Sequence, residues 1–179
     1  MRGLLYITIC VLGLTGCTVG DTVPIDGREA RTAELESYHT GNEDFDRMLG
    51  LSVSVVGEVL DSGDLIVPFA VAIRWDGQLA GVFRFEPELS SGAAVQRTVG
   101  ELSRGVRTGL YRSTAICTDV LAPAVGGDTP TDAVSIVLED AGGAHNFILP
   151  YERTRSGVQF GRPYLRHERP LAFDTSITT

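Results

Sequence analysis

The sequence predicts an α+β fold, an antiparallel sheet of about five strands carrying two main helices in the order α-β-β-α-β-β-β. Three observations predict it. Apolar residues recur at helical spacing in two stretches, Phe45 to Val59 and Val95 to Val106. Between and after these stretches lie short runs rich in β-branched and aromatic residues. Two junctions between such runs, Asp76-Gly77 and Asp140-Ala141-Gly142-Gly143, have the composition of hairpin turns.

The first helix opens at Thr40. Thr40-Gly41-Asn42-Glu43 fits a capping box, in which the Thr hydroxyl accepts from a first-turn amide and the Glu side chain reaches back. Asp44 and Asp46 suit the positive end of the helix dipole. Phe45, Met48, Leu49, Ser52, Val55, Val56 and Val59 form one stripe. The run Leu51 to Val56 also alternates as a strand does, but the cap and the acidic first turn favour helix. Asp61-Ser62-Gly63-Asp64 is a stop. Pro68 cannot donate to a ladder, so it marks the beginning of a strand. Phe69 to Arg74 is strand one, with Phe69, Val71 and Ile73 on a single face. Asp76-Gly77 is read as a two-residue turn, and Leu79 to Phe85 as strand two.

Ser90-Ser91 caps the second helix, whose stripe is Val95, Val99, Leu102 and Val106. Gly100 and Gly105 each weaken it by ~1 kcal/mol relative to Ala, and Gly109 is a left-handed terminator. Strand three runs from Tyr111 to Leu121, before a Gly- and Pro-rich loop from Pro123 to Thr131. Ala133 to Glu139 and Ala144 to Tyr151 form a hairpin, and Gly157 to Phe160 a last short strand. The single α+β domain therefore spans residues 40–161. Residues 162–179 lack a period and read as a tail, partly disordered toward its end.

Hydrophobic residues make up 43% of the chain, enough for a real core. The net charge is −8, and every basic side chain is Arg, which fits GC-rich coding. No basic cluster exists, so nucleic acid is not an expected partner.

Residues 1–17 carry the most specific signal. Arg2 precedes an apolar run from Leu4 to Leu14, too short to span a hydrocarbon core ~30 Å thick. The run ends in Leu14-Thr15-Gly16-Cys17. The layout is that of a signal peptide, and the four residues resemble the lipobox of bacterial lipoproteins. That resemblance implies removal of residues 1–16, diacylglyceryl attachment to Cys17, and a membrane anchor of more than one acyl chain. It also implies a location outside the cytoplasm. Thr18, rather than Asp, follows the Cys. In a Gram-negative cell this resembles an outer-membrane destination, and in a Gram-positive cell the motif means the outer face of the plasma membrane. Residues 17–39 then form the lipidated Cys and a tether with a reach of ~25 Å.

The element order resembles that of roadblock and profilin-like domains, without any shared residue motif. Pro68-Phe69-Ala70, Asp76-Gly77 and Leu149-Pro150-Tyr151 also resemble features of small bacterial proteins of unknown function. Neither resemblance implies a site.

No catalytic, cofactor or metal motif is present. The chain has three Cys and three His. Cys10 leaves with the signal peptide and Cys17 is acylated, so Cys117 has no disulfide partner. It reads as a small buried residue. A hydrolase needs Cys117 or Ser113 brought to His145. His39, His145 and His167 have no zinc spacing. Asp119, Asp128 and Asp132 border the Gly-rich loop without the calcium-loop pattern. Glu139 and Asp140 are adjacent on a strand and point to opposite faces, so they do not make an acid–base pair. Among the aromatics Trp75, Phe83, Phe85, Tyr151 and Tyr164, the interaction surface is placed at Trp75, Tyr151 and Tyr164. The sequence thus points to a lipid-anchored envelope protein, not an enzyme, that serves as a binding or interaction module for an envelope protein. A small-molecule or lipid carrier is the alternative, and an envelope hydrolase a more distant one.

Overall fold

A computed structural model describes residues 39–84, 91–123, 129–155 and 157–173. The proposed signal peptide, Cys17, Thr18 and nearly all of the tether lie outside the described residues, as do Phe85, Asp128 and residues 174–179. The fold is α+β, as expected. In chain order the elements are α1 (Glu43–Asp61), β1 (Phe69–Arg74), β2 (Leu79–Arg84), α2 (Ser91–Arg107), β3 (Tyr111–Pro123), β4 (Pro130–Asp140), β5 (Gly143–Thr154), β6 (Gly157–Phe160) and β7 (Tyr164–Glu168). The antiparallel sheet has the order β2-β1-β3-β4-β5-β6, with β7 also paired to β5.

The sheet is larger than expected because residues 164–168 belong to it. β6 pairs along Tyr151–Thr154 and β7 along Ala144–Ile148, with a shift of one register position between them. They behave as one edge strand, broken at Gly161-Arg162-Pro163, where the Gly161 amide donates to the Pro150 carbonyl at 2.7 Å. A proline and a bulge are standard devices that blunt a sheet edge. The segment expected to be a tail is therefore ordered through residue 173, and Ala172 is buried. The loop read as Pro123 to Thr131 is also shorter, since Pro123 pairs with Pro130.

α1 and α2 lie on opposite faces of the sheet. Phe45, Met48, Leu49, Val55, Val56 and Leu60 of α1 pack with Phe69, Val71, Ile73, Cys117, Ile136 and Phe147. This stripe is the expected one with Leu60 buried more deeply than Val59. The intervening residues Ala70, Ala72 and Ile116 turn to the other face and meet Leu102, Val99 and Val106 of α2. The centre of the α2 stripe is Ala94, Thr98, Leu102 and Gly105. It lies one side of the expected Val95–Val106 line, with the valines half-buried beside it. Small residues on both helix and sheet permit close approach. Gly105 takes part directly: a Cβ there would lie 2.2 Å from Cε2 of Tyr111.

Both helices end in Schellman motifs. Gly63 and Asp64 donate to Leu60 and Val59, and Gly109 and Leu110 donate to Val106 and Gly105. Gly63 and Gly109 have φ of 81° and 70°, as that cap requires. The N-terminal cap of α1 differs from the expected one. Asn42 is the N-cap, and its side-chain oxygen accepts from the Asp44 and Phe45 amides. Thr40 instead donates its amide and hydroxyl to Asp46, each at 2.7 Å.

The β1–β2 turn also differs. Arg74 pairs with Gln78, and the Gly77 amide donates to the Arg74 carbonyl. Only Gly77 has positive φ. A two-residue primed turn would need positive φ at Asp76 as well, so the loop has three residues, Trp75-Asp76-Gly77, closing on a glycine bulge.

Candidate functional site

Side chains able to do chemistry gather in three places. The first is the end of the sheet where α1 begins. Asp44 accepts two hydrogen bonds from the Arg112 guanidinium, both at 2.7 Å, and one from the Ser113 hydroxyl at 2.9 Å. The Arg112 guanidinium holds the Asp44 carboxyl below its ordinary range, against a smaller opposing effect of burial. Asn42 donates to Asp140 at 2.9 Å, and Asp140 also accepts from the Gly142 amide. Burial works against ionisation of Asp46, but the Thr40 amide and hydroxyl outweigh it and lower its pKa. Arg47 donates to the Gly77 carbonyl and Arg112 to the Trp75 carbonyl. These bonds fasten the β1–β2 hairpin to α1. Trp75 projects from that hairpin 65% exposed, and Leu110 precedes Tyr111, the register partner of Arg74.

The second place is the opposite end of the face covered by α1. The Tyr151 hydroxyl donates to Asp119 at 3.0 Å. Burial, with the hydrogen bond and charge of Asp119, pushes the Tyr151 phenol up to about 12, and burial raises the pKa of Asp119. Arg153 donates to the Asp64 carbonyl at 2.5 Å. Leu65 and Leu121 stand at this end, 77% and 73% exposed.

The third place is the face opposite α1, beyond α2. The Ser135 hydroxyl donates to Asn146 at 2.8 Å, and Asn146 donates to Glu168 at 3.2 Å. Glu139 is fully buried. Its Oε2 accepts from the Ala172 and Phe173 amides at 2.8 and 3.3 Å. Burial raises its pKa against the opposing effect of the Leu171, Ala172 and Phe173 amides. Among the described residues its Oε1 has no hydrogen-bond partner, nor does Oγ1 of Thr114, its cross-strand neighbour. A carboxylate buried this way closes the C-terminal segment onto the sheet, at a cost in desolvation.

The residues singled out from sequence fall apart on this map. Trp75 is at the first end and Tyr151 at the second, where it is buried to 6%. Tyr164 is on the third face, its hydroxyl donating to the Pro123 carbonyl and its ring beneath the Arg166 guanidinium. They do not form one surface. Tyr151 is buried and Tyr164 half-buried, and Trp75 is the most exposed of the three. Phe83 lies on β2 opposite Ala70, and Cys17 lies outside the described residues. Glu139 and Asp140 point to opposite faces, as expected.

Cys117 and His145 are not brought together either. Cys117 is fully buried, and burial pushes its thiol up to about 12. β4 separates β3 from β5, which puts the two backbones about 10 Å apart. The His145 ring meets Phe45 edge-on at 5.8 Å, and Ser113 is committed to Asp44. Among the described residues no three His, Cys, Asp or Glu side chains are grouped to hold a metal ion. No helix among them is long and apolar enough to cross a membrane. His167, expected in the tail, lies on β7 in register with His145. Sequence reading missed the burial of Glu139 because its partners lie more than thirty residues downstream. No known protein family, curated protein or solved structure matches this chain.

Proposed function

We propose that this chain is a lipid-anchored protein of the cell envelope whose domain is a binding module rather than a catalyst. The observation that carries the reading is the division of labour among side chains. Asp44, Arg112, Ser113, Asn146, Glu139 and Tyr151 are spent on holding elements together. Leu65, Trp75 and Leu121, each more than half exposed, are left at the two ends of the domain. Large apolar side chains exposed to water are what an interface draws on, because covering them removes apolar surface from solvent.

Anchoring is supported by Leu14-Thr15-Gly16-Cys17. Thr18 supports the outer membrane in a Gram-negative cell and the outer face of the plasma membrane otherwise. We assign the end carrying Leu65, Val67 and Leu121 to a protein partner of the envelope. Metabolic labelling with palmitate and fractionation of the wild type and Cys17→Ala test the anchor. The expected result is label and membrane retention in the wild type, and loss of both in the variant. Palmitate incorporation by Cys17→Ala contradicts the reading. Photo-cross-linking in intact cells from position 121, against exposed Glu101 as control, tests the partner surface. A discrete adduct that disappears on Leu65→Glu supports it, and equal cross-linking from both positions contradicts it.

A further inference from the structure

We propose that the Trp75 end of the domain docks on the lipid surface to which the chain is anchored, with the Trp75 ring at headgroup depth. This inference rests on the anchored reading above. It starts from where the chain enters the domain. Residues 18–38 join Cys17 to His39, and His39 stands at the N-terminus of α1 against Asp46. That terminus is fastened to the Trp75 hairpin through Asp44, Arg112 and the Trp75 carbonyl, and again through Arg47 and the Gly77 carbonyl. The tether therefore arrives at the end of the molecule that carries Trp75.

The chemistry of this end suits an interface between water and lipid. Trp75 and Leu110 are 65% and 42% exposed, and the register Arg74↔Tyr111 carries them forward side by side. An indole has an apolar body and one donor, which is why tryptophan favours headgroup depth. Exposed Arg74 lies beside it, exposed Arg47 is on α1, and exposed Arg104 and Arg107 occupy the last turn of α2, just before Leu110. Guanidinium groups bind phosphate in paired hydrogen bonds. The exposed acids nearby are Glu43 and Asp76. Asp44 is engaged by Arg112, Asp46 by Thr40 and His39, and Asp140 by Asn42 and the Gly142 amide. Exposed guanidinium groups thus flank Trp75 at the end where the tether enters. A weak contact suffices, because a tether of this length holds the domain at an effective concentration on the order of millimolar.

Trp75 is the only tryptophan in the chain, so intrinsic fluorescence reads this site alone. The acylated full chain is reconstituted into phosphatidylethanolamine–phosphatidylglycerol vesicles, with and without lipids brominated at shallow acyl positions. The same preparations are floated on a density gradient. The expected result is flotation, a blue shift of Trp75 emission, loss of intensity with brominated lipid, and protection from acrylamide. The unacylated Cys17→Ser chain at the same concentration should show none of these. Flotation with water-like, acrylamide-accessible emission and no bromine quenching overturns the docking and leaves the anchor standing. Failure of the wild type to float overturns the anchor, and the docking with it.

Discussion

The two faces of the sheet are closed by different means. Under α1 the contact is made of large apolar side chains, with Phe69, Met48, Ile73, Ile136, Leu138 and Phe147 almost wholly buried. On the other face the sheet offers small and polar side chains, Ala70, Ala72, Thr114, Ser135, Glu139 and Asn146, among fewer large apolar ones, Ile116, Val137 and Ile148. There α2 covers the alanines at close range, and residues 171–173 cover the acid through two backbone amides. Apolar burial stabilises by ~25 cal/mol per Å² without demanding a particular partner. A buried carboxylate must be satisfied, and one unpartnered oxygen makes its face the weaker closure. The α1 face carries the larger apolar core, while the opposite face joins a smaller apolar layer under α2 to specific polar contacts at Glu139.

Truncation should separate the two faces most clearly. Phe69→Ala removes a side chain from the α1 layer and should cost ~3–5 kcal/mol, read as the urea midpoint. A loss under ~1 kcal/mol would mean that this face tolerates collapse and is not the main core. A pair of glycines then probes the α2 face. Gly105→Ala forces a Cβ onto the Tyr111 ring and should cost about 1–3 kcal/mol. Gly100→Ala meets open space on the same helix and should stabilise by ~0.5–1 kcal/mol. Equal effects of the two would contradict the close approach of α2.

Glu139 gives the comparison a pH dependence. Its folded pKa is raised above the ordinary 4.5, so the folded state prefers the neutral acid. The stability it contributes is complete below its unfolded pKa and declines as pH rises through the folded pKa. Glu139→Gln keeps an acceptor for the Ala172 and Phe173 amides and has no charge to bury. It should flatten the fall in stability above pH 4.5, measured by urea unfolding at a series of pH values. Asp119 shifts in the same direction, so the slope should shrink rather than vanish. An unchanged slope would mean that the Glu139 charge is not costly there. The smallest effect is expected at Trp75. Trp75→Ala should leave folding stability within ~0.5 kcal/mol of the wild type, as surface changes do. Unfolding on that substitution would place the ring in a core layer instead.

The α1 face was the legible one. Phe69–Arg74 was read with its observed bounds, because Pro68 cannot donate to the ladder and Gly77 must turn. The inward set Phe69, Val71 and Ile73 followed from period-two alternation. The polar face resisted reading because its contacts are non-local. Leu165 and Arg166 on β7 are both exposed, so the strand shows no alternation, and its order comes from Ala144–Ile148 alone. Glu139 reads as a hairpin acid until residues 171–173 are laid over it. At the start of α1, Thr40 and Asn42 both suit a cap, and the competition was decided by Asp46 drawing Thr40 away. Of the candidate site, the exposure of Trp75, the burial of Cys117 and the opposed faces of Glu139 and Asp140 were legible, but the contacts that gather the polar side chains were not.

Native-state hydrogen exchange tests the inequality of the two faces most directly. The Ala172 and Phe173 amides, which donate to Glu139, should exchange through local opening, faster than the β3–β4 amides between Ala115 and Thr118 by orders of magnitude. Adding low urea should speed the β3–β4 amides and leave the C-terminal pair nearly unchanged, since local opening exposes little surface. Equal protection of the two sets, with equal sensitivity to urea, would show one cooperative unit and contradict the account.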